Sequence, residues 1–75
     1  MAKRRDPLLR ALGARVRQLR EGKGLTQEGL ADRAGLDRSY IAGIEAGLRN
    51  PSIRALARIA KGLGVSVSDV VTNID

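Results

Sequence analysis

The segment RSYIAGIEA, residues 38 to 46, holds the side chains best placed to do chemistry. At 100° per residue, the side of a helix turned away from Ile41 and Ile44 presents Ser39, Ala42, Gly43 and Ala46, flanked by Arg38 and Tyr40. A solvated helix would carry Glu, Lys and Gln there. Small residues with a few projecting ones instead suit a helix pressed into a groove about 12 Å wide, and the chemistry is hydrogen bonding to base edges. Arg38, in the first turn, is the candidate for bidentate contact with guanine O6 and N7. Ser39 can donate to or accept from a base edge or a phosphate, and Ala42 or Tyr40 can touch a thymine methyl. Tyr40 is the chain's one aromatic, and it fits equally well as padding for the helix edge with its hydroxyl in solvent. Bond-making chemistry has no comparable candidates. With neither cysteine nor histidine there is no disulfide, thiol nucleophile or imidazole base, and nearly all structural zinc sites are excluded. Glu28 and Asp32, four apart, read as a solvated face rather than an acid/base pair. No enzyme activity, cofactor, metal or small-molecule ligand is expected.

The charge supports a polyanionic partner. Of 75 residues, 14 are Lys or Arg and 8 are Asp or Glu, a net charge of +6. Residues 1–24 carry all of that excess, with Lys3, Arg4, Arg5, Arg10, Arg15, Arg17, Arg20 and Lys23 set against Asp6 and Glu21. Eleven of the 14 cations are Arg, whose planar fork matches phosphate oxygens and guanine edges. Small basic membrane-surface and partner-binding modules share such a charge, so it does not decide the partner alone. The 43% hydrophobic content points to one small globular domain, one that buries only roughly 60% of its unfolded surface. Residues 1–6 read as a basic arm and 7–75 as that domain. No apolar run approaches the roughly 20 residues of a membrane span, and MAKRRDPLLR lacks the apolar stretch of a secretory signal, so a cytoplasmic protein is expected.

Helices must position these residues. Asp6 before Pro7 is an N-cap signal, and Leu8, Leu12, Val16 and Leu19 form a stripe that fades at Gly22-Lys23-Gly24. Thr26 caps a two-turn helix with Leu30, Ala31 and Ala34 inward, ended by Gly35. Asp37 caps a third helix through Ala46, with Gly47 terminating it. After the loop from Gly47 to Pro51, Ser52 caps a fourth, in which Ile53, Leu56, Ile59, Ala60 and Leu63 share a face opposite Arg54, Arg58 and Lys61. Gly64 ends it, and Ser66 with Asp69 makes a capping-box start for a last short helix. The alternation in Val65-Ser66-Val67-Ser68 allows a short strand instead. The fold class is all-α. Gly13, Gly29 and Gly62 fall inside helices at about 0.8–1 kcal/mol each relative to Ala, for which close helix packing is the rationale.

Residues 27 to 46 thus place a short helix, a glycine turn and a second helix in twenty positions, the spacing of a helix-turn-helix, which an ordinary αα-corner also fits. Glu45 lies close to the core stripe and needs a cation; Arg20 is the candidate, bracing helix one against helix three. Thr26 and Gln27 at the start of helix two, Arg17 of helix one, and Arg49 with Asn50 in the loop are the candidate phosphate contacts. Arg49 and Asn50 also fit a simple turn before Pro51. The Lys3-Arg4-Arg5 arm could follow the backbone, enter the minor groove or serve as a solubilising tail. Val67, Val70, Val71 and Ile74 form a stripe that either meets a second copy or closes the monomer core.

From Leu12 to Val71 the chain resembles the lambda-repressor-like, Cro/C1-type (XRE) helix-turn-helix family. The resemblance rests on LTQ-x-x-LA, the turn glycine, I-E-x-G, NPS and the IA-x-x-LGVS run in the family's order. It implies a compact five-helix domain, usually a homodimer on a pseudo-palindromic operator, that regulates transcription with the motif's second helix in the major groove. It also implies Gln27 at a phosphate or outer base, Arg38 and Ser39 as base readers, Arg49 and Asn50 on phosphates, and Arg20 with Glu45 as an internal ion pair. Gly43 departs from the pattern, since many relatives carry a longer polar side chain there; reading then falls to Arg38 and Tyr40. The stretch RSYIAGIEAGLRN is similar to that of controller proteins of restriction-modification operons. An antitoxin that meets a protein toxin and autoregulates through DNA is the other reading.

Overall fold

Four of the five described helices begin where a side chain satisfies orphan amides. A computed structural model describes residues 6–75. In it the Asp6 carboxylate accepts from the amides of Leu8 (2.9 Å) and Leu9 (3.3 Å) and opens α1 (Pro7–Gly22), with Pro7 where a missing N–H is harmless. The Thr26 hydroxyl accepts from the Gly29 amide and opens α2 (Gln27–Ala34), which Gly35 closes in the left-handed region at φ 68°. Asp37 takes the N-cap backbone conformation before α3 (Arg38–Glu45) but makes no side-chain capping bond, so the cap expected of it is conformational only. Ser52 caps α4 (Ile53–Leu63) by accepting from the Ala55 amide. Ser66 and Asp69 form a reciprocal capping box that opens α5 (Val67–Val70). That box takes up residues 66 and 69, and no strand forms among the described residues. The architecture is all-α, as the pattern predicts.

Val16, Leu30, Ile41, Ile44, Ile59, Leu63 and Val70 are wholly enclosed and draw one contribution or more from every helix. Two glycines let the helices approach this closely. At Gly13 a Cβ would strike the carbonyl oxygen of Ile44 and stand 2.6 Å from that of Glu45, so α1 lies directly on the end of α3. At Gly62 it would stand 3.2 Å from Leu30 Cδ1 and 3.3 Å from the Ala34 nitrogen, where α4 crosses α2.

Three expectations need correction. Leu8 and Ile53, which periodicity places on core stripes, are 47% and 70% exposed. Both lie in the first turn of their helices, before the neighbouring helices cover that face. Val70 is fully buried in the monomer core and offers no surface to a second copy, whereas Val67, Val71 and Ile74 are half-buried against the same core. The Lys3-Arg4-Arg5 arm lies outside the described residues. No described helix is long and apolar enough to cross a membrane.

Candidate nucleic-acid interface

The rotation of α3 is set by Ile41 and Ile44, both at 0% exposure, which press one side of the helix into the core. Its other side is therefore open: Arg38 and Ser39 are exposed, and Ala42 and Gly43 are half-buried with nothing bulky above them on their own helix. Tyr40 is half-buried and packs on the core's edge, which favours the padding role for its ring.

At its other end α3 is anchored by charge. The Glu45 side chain, 4% exposed, accepts two bonds from Arg20: Nε to Oε2 at 2.7 Å and Nη2 to Oε1 at 3.0 Å. Arg20 also donates from Nη1 to the Leu25 carbonyl at 2.7 Å, so one guanidinium ties α1, the approach to α2, and α3 together. The hydrogen bond to Glu45 raises the Arg20 pKa above its ordinary value, outweighing burial, which lowers it. This is the ion pair the wheel of α3 calls for.

A third member of the network was not anticipated. Gln27 donates from Nε2 to Glu45 Oε1 at 3.1 Å, so its amide is held by the ion pair rather than swinging freely. One N–H and the carbonyl oxygen are left for an outside partner. Nothing in the sequence signals this bond, since the two residues are 18 apart and meet only because α2 and α3 cross.

Around this frame lie the other candidates. Thr26 is exposed and its hydroxyl, occupied as an acceptor by the cap, keeps its hydrogen for donation. Asn50 is exposed on the loop ahead of buried Pro51. Arg17 pairs with Glu21 at 3.2 Å on an open helix face, a contact worth at most about 1 kcal/mol that a phosphate can displace. Arg49 does not extend from the loop: its stem lies across α3 at Gly43, and its guanidinium carbon is 5.7 Å from the centroid of the Tyr40 ring. Two arginines outside the candidate set have structural tasks. Arg15 Nε donates to the Asp69 carbonyl at 2.9 Å, joining α1 to α5, and Arg58 donates to the Gly35 carbonyl at 3.4 Å beside the turn.

Comparison with known proteins agrees with this geometry. A family model described as helix-turn-helix matches residues 16–70, from the second half of α1 to the end of α5. The chain is 41% identical over 64 residues to an uncharacterized HTH-type transcriptional regulator, y4dJ, of Sinorhizobium fredii, covering 85% of this chain and 83% of that one. It is 39% identical to the control protein C.MunI of a Mycoplasma species, covering 84% and 86% respectively. Among solved structures, the restriction-modification controller protein C.AhdI of Aeromonas hydrophila superposes with a TM-score of 0.82 at 44% identity, over 83% of this chain and 94% of that one.

Proposed function

This chain belongs to the helix-turn-helix family of DNA-binding transcription regulators, and from that premise we propose that it acts as a homodimer on a pseudo-palindromic operator, as the controller of a restriction-modification operon. The observation that carries the reading is the locked rotation of α3. Ile41 and Ile44 face the core, so Arg38 and Ser39 face outward from its first turn, where a recognition helix meets base edges. Arg38 reads guanine O6 and N7, Ser39 a neighbouring edge or phosphate, and Ala42 and the edge of Tyr40 supply apolar contact. Thr26, Gln27, Asn50 and Arg17 hold phosphates on either side. Gln27 does so with its orientation preset by Glu45. The second copy meets the first through Val67, Val71 and Ile74. The controller role is supported by the names of two of the similar proteins reported above and by the match covering most of both chains. Its place is the cytoplasm, on the nucleoid when bound to DNA.

Selection of bound duplexes from a random library tests this. The expected product is a palindromic consensus with half-site centres about 10 base pairs apart, or a small multiple of that. Arg38→Ala should then relax one position per half-site by about 1–3 kcal/mol while leaving binding to random duplex intact. Equal retention of random and selected duplexes by the unaltered protein overturns the proposal.

A further inference from the structure

α5 is too short to hold its own direction. A helix of four residues closes about one turn, far below the length at which isolated helices persist, so its angle is set by what it touches. Three attachments act on it. The Ser66–Asp69 box fixes where it starts, Val70 is sunk in the core, and Arg15 of α1 donates from Nε to the Asp69 carbonyl at 2.9 Å near its end. That last contact is the one polar bond that joins α5 to another helix among the described residues. The guanidinium is itself braced: Arg15 is half-buried, and its Nη1 donates to Gln18 Oε1 at 3.2 Å, one turn on along α1.

α1 carries this contact to α3, because it packs against both α3 and α5. Gly13, two residues before Arg15, brings α1 onto the Ile44 and Glu45 carbonyls, and Arg20, five residues after it, pairs with Glu45. Residues 13–20 of α1 thus hold the end of α3 and the end of α5 in one frame. At about 1.5 Å per residue that stretch is roughly 10 Å long, short enough to carry an angle without bending. Val67 and Val71, the half-buried residues that α5 offers to a second copy, stand two residues on either side of Asp69, so any tilt of α5 tilts that surface with it. The described chain is 38 Å along its longest axis, and a tilt of about 10° acting over half that length displaces a partner by about 3 Å, close to one base-pair step along a duplex.

We infer that Arg15 is a positioning residue for the homodimer: by holding the end of α5 to α1 it sets the separation of the two recognition helices, and with it the half-site spacing that the protein accepts. Acting through α5, it governs spacing and leaves base preference to α3. An arginine suits this task because its rigid fork meets the Asp69 carbonyl and the Gln18 amide oxygen at once in a fixed geometry. Gln18 serves the same end from an exposed position. The inference rests on the two copies meeting through the α5 end, as proposed above.

The test offers duplexes that carry two copies of the selected half-site at every separation across one helical turn. They are presented to the full chain and to its Arg15→Met, Arg15→Lys and Gln18→Ala variants, with thermal unfolding of each protein as a control for folding. The full chain should prefer one separation. Arg15→Met keeps the stem but loses every donor, so the preference for that separation over its neighbours one base pair longer or shorter should fall by roughly 10-fold. Affinity for an isolated half-site, and the base preference within it, should stay unchanged. Arg15→Lys returns a donor and should recover part of the spacing preference. Gln18→Ala releases the brace and should broaden the spacing in the same direction, which keeps the test decisive if Arg15→Met fails to fold. Unaltered spacing preference in a folded Arg15→Met or in Gln18→Ala overturns the inference, as does an Arg15→Met protein that loses as much affinity for the isolated half-site as for the paired sites. A full chain that binds every separation equally is a different result: it removes the homodimer reading, and the inference falls with it.

Discussion

At the scale of single residues, the decisive contact inside the domain is the one between Arg20 and Glu45. Both side chains are nearly enclosed, at 11% and 4% exposure, so removing one leaves the other's charge in a poorly solvated place. Glu45→Ala should therefore lower stability by about 3–5 kcal/mol, read as a shift of the urea midpoint, whereas replacing both partners with apolar residues of similar size should cost much less. A single variant as stable as the parent would show that water reaches the pair. This contact was legible in the sequence because a carboxylate beside an apolar stripe demands a cation, and Arg20 lies at the edge of the stripe on α1. Its extension to Gln27 was not, because a hydrogen bond between an amide and an already paired carboxylate leaves no trace in composition or spacing. The same holds for Arg49: its loop position suggests a phosphate, and only the space above Gly43 shows where the stem lies.

At the scale of elements, the caps were the most legible feature and helix crossings the least. Thr26, Ser52 and the Ser66–Asp69 box open helices as their types and spacing predict, because capping is chemistry within three residues. Asp37 did not follow: it takes the N-cap backbone conformation without a side-chain capping bond. The box at α5 has a pH signature. Hydrogen bonds from the Ser66 backbone and side chain hold the Asp69 pKa below its ordinary value, so the cap's contribution is complete above the usual aspartate range of about 4 and fades as pH falls through the lowered value. Amide exchange in residues 67–70 should accelerate over that acid interval ahead of the rest of the chain, and Asp69→Asn should remove the pH dependence; protection that stays flat would dismiss the box as an anchor. Leu8 and Ile53 show why crossings are hard to read: periodicity identifies a face but not where a neighbour stops covering it. Gly13 makes the same point from the other side. Alanine there gains about 1 kcal/mol in helix propensity but drives a methyl into the Ile44 and Glu45 carbonyls, which are backbone and cannot swing aside. Gly13→Ala should accordingly lower the melting temperature, and an increase would mean that α1 and α3 can separate without penalty.

At the scale of the whole molecule, the proposed homodimer would require one short chain to supply both a core and a second interface from the same apolar residues. Val70 is fully committed to the core, while Val67, Val71 and Ile74 divide their surfaces between the core and the outside. Ala11, Ala14, Arg15, Gln18, Thr72 and Asn73 line an open hollow where α1 meets the turn that follows α5. The sequence announced a stripe but could not say which of its members the monomer would consume, because that depends on how far α5 sinks between α1 and α4. On the proposed pseudo-palindromic site that division would be functional. In the proposed homodimer, two copies joined through this end would each present an α3 and the operator affinity would reflect both, so breaking the contact should weaken operator binding far more than it weakens binding to random duplex. Val71→Asp places a charge on the half-exposed part of the stripe and spares buried Val70. It should give a protein that retains its helical circular dichroism, sediments as a monomer at micromolar concentration, and binds an isolated half-site as well as the parent does. Persistence of a dimer in that variant, or a parent that is monomeric on its own selected operator, would separate the α5 end from assembly and leave those valines as core residues alone.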